Sequence, residues 1–149
     1  MATTSSFPSG SWTLYFHDPE DGSWAPESYK KIGTFTDFLD LWGAFQAIGH
    51  KFLSGMYFLM KDPSLPLWEH RTNIHGGTYC LKIPEAQATE CYQRYAAAAI
   101  LGLTSKDPEN QIVGVTISPK KGFHIIKIWN MNARGYNKST DIGLFGDGV

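Results

Sequence analysis

Five tryptophans stand in 149 residues, and their surroundings divide them. Trp12 and Trp129 fall in segments whose side chains alternate as in strands, where a ring builds core or the wall of a cleft. Trp24 and Trp68 each lie in a turn-rich stretch among Pro, Ser, Asp, Glu or His, with no apolar partner at strand or helix spacing to bury them. A large ring is costly to leave bare on a loop, and loops gather binding residues, so these two are expected to cover something. The chemistry this predicts is recognition and not bond-making. No phosphate-binding glycine loop, zinc signature or nucleophile elbow is present, and His17, His50, His70, His75 and His124 show no ligand spacing. His70 and His75 stand near Glu69, but loop polarity explains them better than a metal does. No metal and no cofactor is expected.

Elements that would position those rings follow from the period of the apolar residues. Trp12–His17 (WTLYFH) reads as a strand closed by Asp18-Pro19 and Asp21-Gly22 turns. From Thr36 the period changes. Phe38, Leu41, Trp42, Phe45 and Ile48 recur at helical steps, with Thr36 as N-cap, Asp37 in the first turn and Gly49 as the stop. Gly55–Met60 reads as a short buried strand, and Pro63 and Pro66 then break the chain into the loop that holds Trp68. Thr78–Ile83 reads as a strand, and Pro84 opens an alanine-rich helix running to about Leu101, ended by Gly102. Ile112–Ser118 and Phe123–Trp129 alternate around Lys120-Lys121-Gly122, the pattern of a hairpin. In its second strand Phe123, Ile125, Lys127 and Trp129 share one face, and His124 points the other way. Residues beyond 130 are expected to be mostly irregular. Strands joined by short turns and interrupted by two helices predict an α+β fold, with helices on one face of a largely antiparallel sheet.

Composition bounds the ligand. With 13 Lys+Arg against 14 Asp+Glu, the net charge of −1 excludes a protein that lives on long stretches of nucleic-acid backbone, because such affinity comes from many cations displacing counterions. A small anionic ligand remains open. No run of eighteen apolar residues exists to span a membrane, and MATTSSFPSG lacks the basic start and apolar stretch of a signal peptide. Cys80 and Cys91 form no pair or framework and read as reduced thiols, which places the chain in the cytoplasm. Residues 1–10 read as a flexible tail and 11–149 as a single domain.

Strand WTLYF, loop DGSWAP, helix FLDLWGAF, loop LPLWEHRTNIHGGTY and hairpin KKG–IIKIW follow one another at intervals that resemble the translation initiation factor 4E family, which binds the messenger-RNA cap. The likeness spans about residues 7–129. Its sharpest pieces are Trp68-Glu69 followed by Gly76-Gly77, and Trp24 placed 44 residues before Trp68. The resemblance implies a curved, largely antiparallel sheet with helices on its convex face and a cap slot on the concave side. It implies that Trp24 and Trp68 stack on the two faces of 7-methylguanine, whose delocalised positive charge adds cation–π attraction. Glu69 matches the residue that accepts the two N–H donors of the guanine edge, and Trp129 the residue touching the methyl group. Phosphate contacts fall to Lys120, which stands where the family usually has an Arg, to Lys121, and to Lys127 beside Trp129 on its strand face. The family continues past its last tryptophan into a further helix and strands. Here 20 residues follow Trp129, so either the phosphate side is open or the sequence is a piece of a longer chain.

The helix around Trp42 supplies a second expectation. Phe35, Phe38, Leu39, Leu41, Trp42, Phe45 and Ile48 cover about half its circumference at 100° per residue, wider than the ~100° stripe a core-facing helix needs. One edge is left over for an interface or for cover by the N-terminal tail. In the family the matching Trp receives a helix bearing Tyr-x-x-x-x-Leu from the scaffold factor 4G or from 4E-binding proteins. Phe38 matches another contact, Phe7-Pro8 resembles the His-Pro segment lining that groove, with Pro8 as its contact, and Tyr92–Leu101 forms the second wall. A monomer that engages capped RNA and one partner helix, without catalysis, is the reading that results. The competing reading is a 4E-like adaptor or translational repressor that keeps the partner face and has weak or altered cap binding.

Overall fold

The computed structural model describes residues 6–67, 70, 73–107, 109–136 and 142. Six strands, β1 (Trp12–His17), β2 (Lys30–Phe35), β3 (Met56–Lys61), β4 (Gly77–Pro84), β5 (Ile112–Pro119) and β6 (Phe123–Asn130), form one curved sheet in the order β2-β1-β3-β5-β6-β4. Every neighbouring pair is antiparallel. Two helices, α1 (Phe38–Ile48) and α2 (Glu85–Ile100), pack on the convex face, as expected of this α+β architecture. No helix is long and apolar enough to cross a membrane among the described residues.

The convex side holds the larger core. Trp12, Leu14, Leu59, Val115, Ile117, Ile126 and Ile128 rise from the strands to meet Phe45 of α1, Phe52 after it, and Tyr92 and Tyr95 of α2. The alanines of α2 have a packing role: Ala88, Ala96 and Ala99 are buried, and small side chains let the helix backbone approach the sheet. Tyr92 is enclosed there and donates its hydroxyl to the Val115 carbonyl at 2.9 Å. Its phenol is pushed far above the ordinary range, mainly by burial, so it stays a neutral donor.

Three local expectations change on folding, and one strand is added to those expected. The N-cap of α1 is Asp37, not Thr36: Asp37 is extended and its carboxylate accepts from the Asp40 N–H at 2.9 Å, while the Thr36 carbonyl accepts from the Phe7 N–H at 2.7 Å. β2 was not legible from KKIGTF, since two lysines and a glycine leave no apolar alternation, and it is an edge strand whose exposed Lys30 and Lys31 need none. Ser6–Gly10, read from sequence as part of a flexible tail, is docked. Phe7 is buried against the Phe38 ring edge-on at 4.8 Å, and the Ser9 hydroxyl donates to the Ile100 carbonyl while accepting from the Trp12 indole. Strand ends also move by a residue or so: β3 begins at Met56 and β4 runs from Gly77 to Pro84.

Candidate ligand cleft and partner face

Cross-strand partners point to the same side of a sheet, and this rule builds the floor of a cavity on the concave face. Phe58 of β3 stands opposite Thr116 of β5, and Thr116 opposite Lys127 of β6, so one row crosses three strands. Met56 and Ser118 extend the floor one step along, and Trp129 closes its far end. Gly114 makes room beside it for the Met60 side chain. It stands between Met60 and Trp129 in the pairing, and a side chain there would run into the Met60 sulfur. Trp129, Met60, Phe58 and Tyr15 thus form a second, smaller core on this face. Tyr15's phenol is raised by burial first and by the Asp62 carboxylate second.

Two loops raise the walls. After β1 the chain turns through Asp18–Ala25, held by the Asp18 and Asp21 carboxylates accepting from the Glu20 and Ser23 N–H groups. Trp24 emerges from this loop 52 % exposed, its ring lying flat on His17 with centroids 4.1 Å apart and planes 3° apart. Tyr29 comes next along the chain, meeting Phe58 edge-on at 5.3 Å. Pro66 and Leu67 face them from the β3–β4 loop. Asn73 shapes that wall: buried, it donates to the Leu65 and Leu67 carbonyls at 2.7 and 2.8 Å and accepts from the Ser64 hydroxyl at 3.2 Å. The enclosed volume is about 300 Å³, at the small end of ligand cavities. Its lining combines the rings of Trp24, Tyr29, Phe58 and Trp129 with Thr116, Ser118 and Lys127.

Of the site residues expected from sequence, Trp24, Trp129 and Lys127 meet in this cavity. Lys120 and Lys121 do not line it; both are exposed at the β5–β6 turn, where the Lys120 N–H donates to the Phe123 carbonyl. Trp68 and Glu69 lie outside the described residues. The Gly76-Gly77 pair has a clear physical reason. A side chain at Gly76 would collide with the Asn130 carbonyl, and the Gly77 N–H donates to the Asn130 side chain at 2.9 Å, which seats β4 against the end of β6 just past Trp129. Sequence reasoning missed His17, Tyr29, Phe58, Thr116, Ser118 and Asn73. For Thr116, Ser118 and Phe58 the signal was strand alternation carried across the pairing; for His17 and Asn73 no local signal existed.

The second candidate surface is on α1. Trp42 is 41 % exposed and Leu39 77 % exposed, beside half-buried Phe38, with Trp42 resting on buried Phe45 at 5.7 Å between centroids. Of the two outcomes left open, the described part of the tail, Ser6–Gly10, covers only part of the stripe. Phe7 caps Phe38, exposed Pro8 continues past it, and Trp42 and Leu39 stay open.

The chain matches the sequence model of the family described as Eukaryotic initiation factor 4E over residues 9–145. Among curated proteins it is similar to eukaryotic translation initiation factor 4E of Dictyostelium discoideum, 26 % identical over 139 residues that cover 89 % of this chain and 55 % of that protein. It is also similar to eukaryotic translation initiation factor 4E-1 of Capsicum annuum, 27 % identical over 140 residues covering 89 % and 60 %. The chain therefore spans little more than half the length of these relatives. Among solved structures its fold is similar to Ascaris suum eIF4E-3 in complex with an m2,2,7G cap, with a TM-score of 0.73, 16 % identity, and 86 % of this chain and 74 % of that one covered. The fold is likewise similar to C. elegans eIF4E-3 in complex with the 4E-binding protein Mextli, with a TM-score of 0.76, 15 % identity, and 89 % and 79 % covered.

Proposed function

This chain belongs to the eukaryotic initiation factor 4E family, and on that premise we propose that it binds the 7-methylguanosine cap of messenger RNA in the concave cavity and offers α1 to a partner helix. One observation carries the reading: an exposed indole, Trp24, stands at the lip of a cavity that also contains Trp129 and a single lysine, Lys127, among the described lining residues. An aromatic cation joined to phosphates fits that distribution. Its flat, positively charged ring stacks on Trp24, with Trp68 as the second jaw, each face contributing about 1–3 kcal/mol. Glu69 accepts both guanine-edge donors, and Trp129 lies against the methyl group. Lys127, with the Thr116 and Ser118 hydroxyls near it, takes the phosphate nearest the nucleoside, while Lys120 and Lys121 at the hairpin turn meet phosphates or RNA farther out.

Selectivity then comes from charge. Removing the N7-methyl group leaves a neutral guanine, which loses the cation–π component on both faces and the attraction of Glu69. No bond is made or broken, so the protein acts by holding the cap and not as an enzyme. The partner reading rests on the open Trp42–Leu39 surface, which suits an amphipathic helix of the Tyr-x-x-x-x-Leu type from a scaffold factor 4G-like protein or a 4E-binding protein. We place this activity in a single domain that includes the docked Ser6–Gly10 segment, acting as a cytoplasmic monomer until it meets that helix.

Titration of tryptophan fluorescence with 7-methyl-GTP and GTP in parallel tests the proposal. Quenching by 7-methyl-GTP at concentrations at least tenfold below those needed with GTP is the expected result. Equal affinities would eliminate recognition through charge. Absence of quenching by either would favour a 4E-like adaptor that retains only the partner face, a reading to which the position of Lys120 and Lys121 outside the cavity lining lends its weight.

A further inference from the structure

His17 is the last residue of β1, fully buried, and paired across the sheet with Met56, so its backbone belongs to the rigid part of the molecule. Its side chain reaches out of the sheet and makes two contacts with the far end of the Asp18–Ala25 loop. Nε2–H donates to the Ser23 carbonyl at 2.8 Å, and the imidazole lies parallel to the Trp24 indole at 4.1 Å. Tyr29 flanks the same ring at 4.9 Å. Trp24 has no other described ring against its face, since its remaining aromatic neighbour, Tyr29, is tilted by 52° with centroids 6.3 Å apart. An indole 52 % exposed on a loop would otherwise sample several rotamers.

We propose that His17 is a positioning residue for ligand binding: its ring and its hydrogen bond to Ser23 hold the Trp24 indole in one orientation before the ligand arrives. This deepens the cap-binding reading and rests on it. A ligand that stacks on a preset ring does not have to order that ring, so affinity rises without any new contact to the ligand. The two components can be separated by substitution. His17→Phe keeps a flat ring under Trp24 and removes the donor; His17→Gln keeps a donor and removes the ring; His17→Ala removes both.

Two measurements on the full chain test this. In 7-methyl-GTP titrations His17→Ala is expected to weaken binding about tenfold, with His17→Phe recovering at least half of that loss on a logarithmic scale. Without nucleotide, hydrogen exchange should accelerate in His17→Ala over residues 18–25, while β1 and β3 exchange at the wild-type rate. A His17→Ala protein with wild-type affinity would overturn the proposal, as would a His17→Phe protein no better than His17→Ala. Faster exchange across β1 and β3 as well would also overturn it, because His17 would then merely support the fold. Should wild-type protein fail to bind 7-methyl-GTP, the cap reading falls, and the exchange experiment still decides whether His17 latches the loop.

Discussion

Trp24 and Trp42 are exposed to similar extents, 52 % and 41 %, on opposite sides of the sheet, and they differ in what lies behind and in front of them. Behind Trp42 is the convex core: Phe45 touches it and in turn touches Phe52 and Tyr92, so the ring rests on a packed aromatic cluster. In front of it is open surface carrying Leu39. Behind Trp24 is one histidine, and in front is a walled cavity of about 300 Å³. A ring on a packed base facing open space suits a broad partner that supplies its own apolar surface. A ring on a thin support facing a concavity suits a small flat ligand that supplies the missing half of the stack. Similar exposure thus conceals two different kinds of site.

The comparison predicts that damage on one side leaves the other working. Phe45→Ala should have the largest effect, lowering stability by about 3–5 kcal/mol in urea denaturation while the molecules that remain folded bind nucleotide as before. Trp42→Ala is expected to weaken a Tyr-x-x-x-x-Leu helix peptide by about 2 kcal/mol or more, with the 7-methyl-GTP titration unchanged; loss of both would reduce Trp42 to a structural role. Trp24→Ala is the mirror experiment, costing roughly 1–3 kcal/mol in nucleotide affinity and nothing in peptide affinity by calorimetry. Lys127→Gln should sharpen the cavity's polarity. It weakens 7-methyl-GTP by about 1–2 kcal/mol but barely affects 7-methylguanosine, and added salt narrows the gap. The smallest effect serves as a control. Asp107, exposed and not among the described lining residues of the cavity, has its carboxyl held below the usual range by the Glu109 N–H and then by the Tyr136 hydroxyl at 2.7 Å. A carboxyl lowered in the folded state stabilises above its ordinary value and loses that contribution as pH falls through the folded one. Tyr136→Phe should raise the Asp107 midpoint in an NMR titration and leave both binding activities untouched.

Legibility in the sequence tracked the range of the interaction that decides each feature. The Lys120-Lys121-Gly122 hairpin was readable because its two strands are neighbours in the chain, and simple alternation put Lys127 and Trp129 on one face and His124 on the other. α1 was readable from its period, though not its cap. Thr36 and Asp37 are both good N-cap residues, and the choice between them turned on Phe7, which engages the Thr36 backbone from 29 residues away. The floor of the cavity was half legible. Trp129 and Lys127 announced themselves, whereas Phe58 and Thr116 acquire meaning only once β3 and β5 pair in the observed register. Asn73 and His17 were silent, since an isolated polar residue in a turn or at a strand end looks the same whether it organises a loop or faces water.

By itself the order of residues determined the α+β class, the placement of two helices, the hairpin, and the places of Trp12 and Trp129 in strands and of Trp24 in a loop. Each of these depends on side-chain period or turn chemistry within a few positions. Only the folded chain decided that Ser6–Gly10 docks, that Lys120 and Lys121 are not among the described residues lining the cavity, and that Trp24 rests on His17. Those outcomes depend on register between strands and on which surfaces remain uncovered after the core has closed, quantities set by packing over the whole molecule and by no local stretch of it.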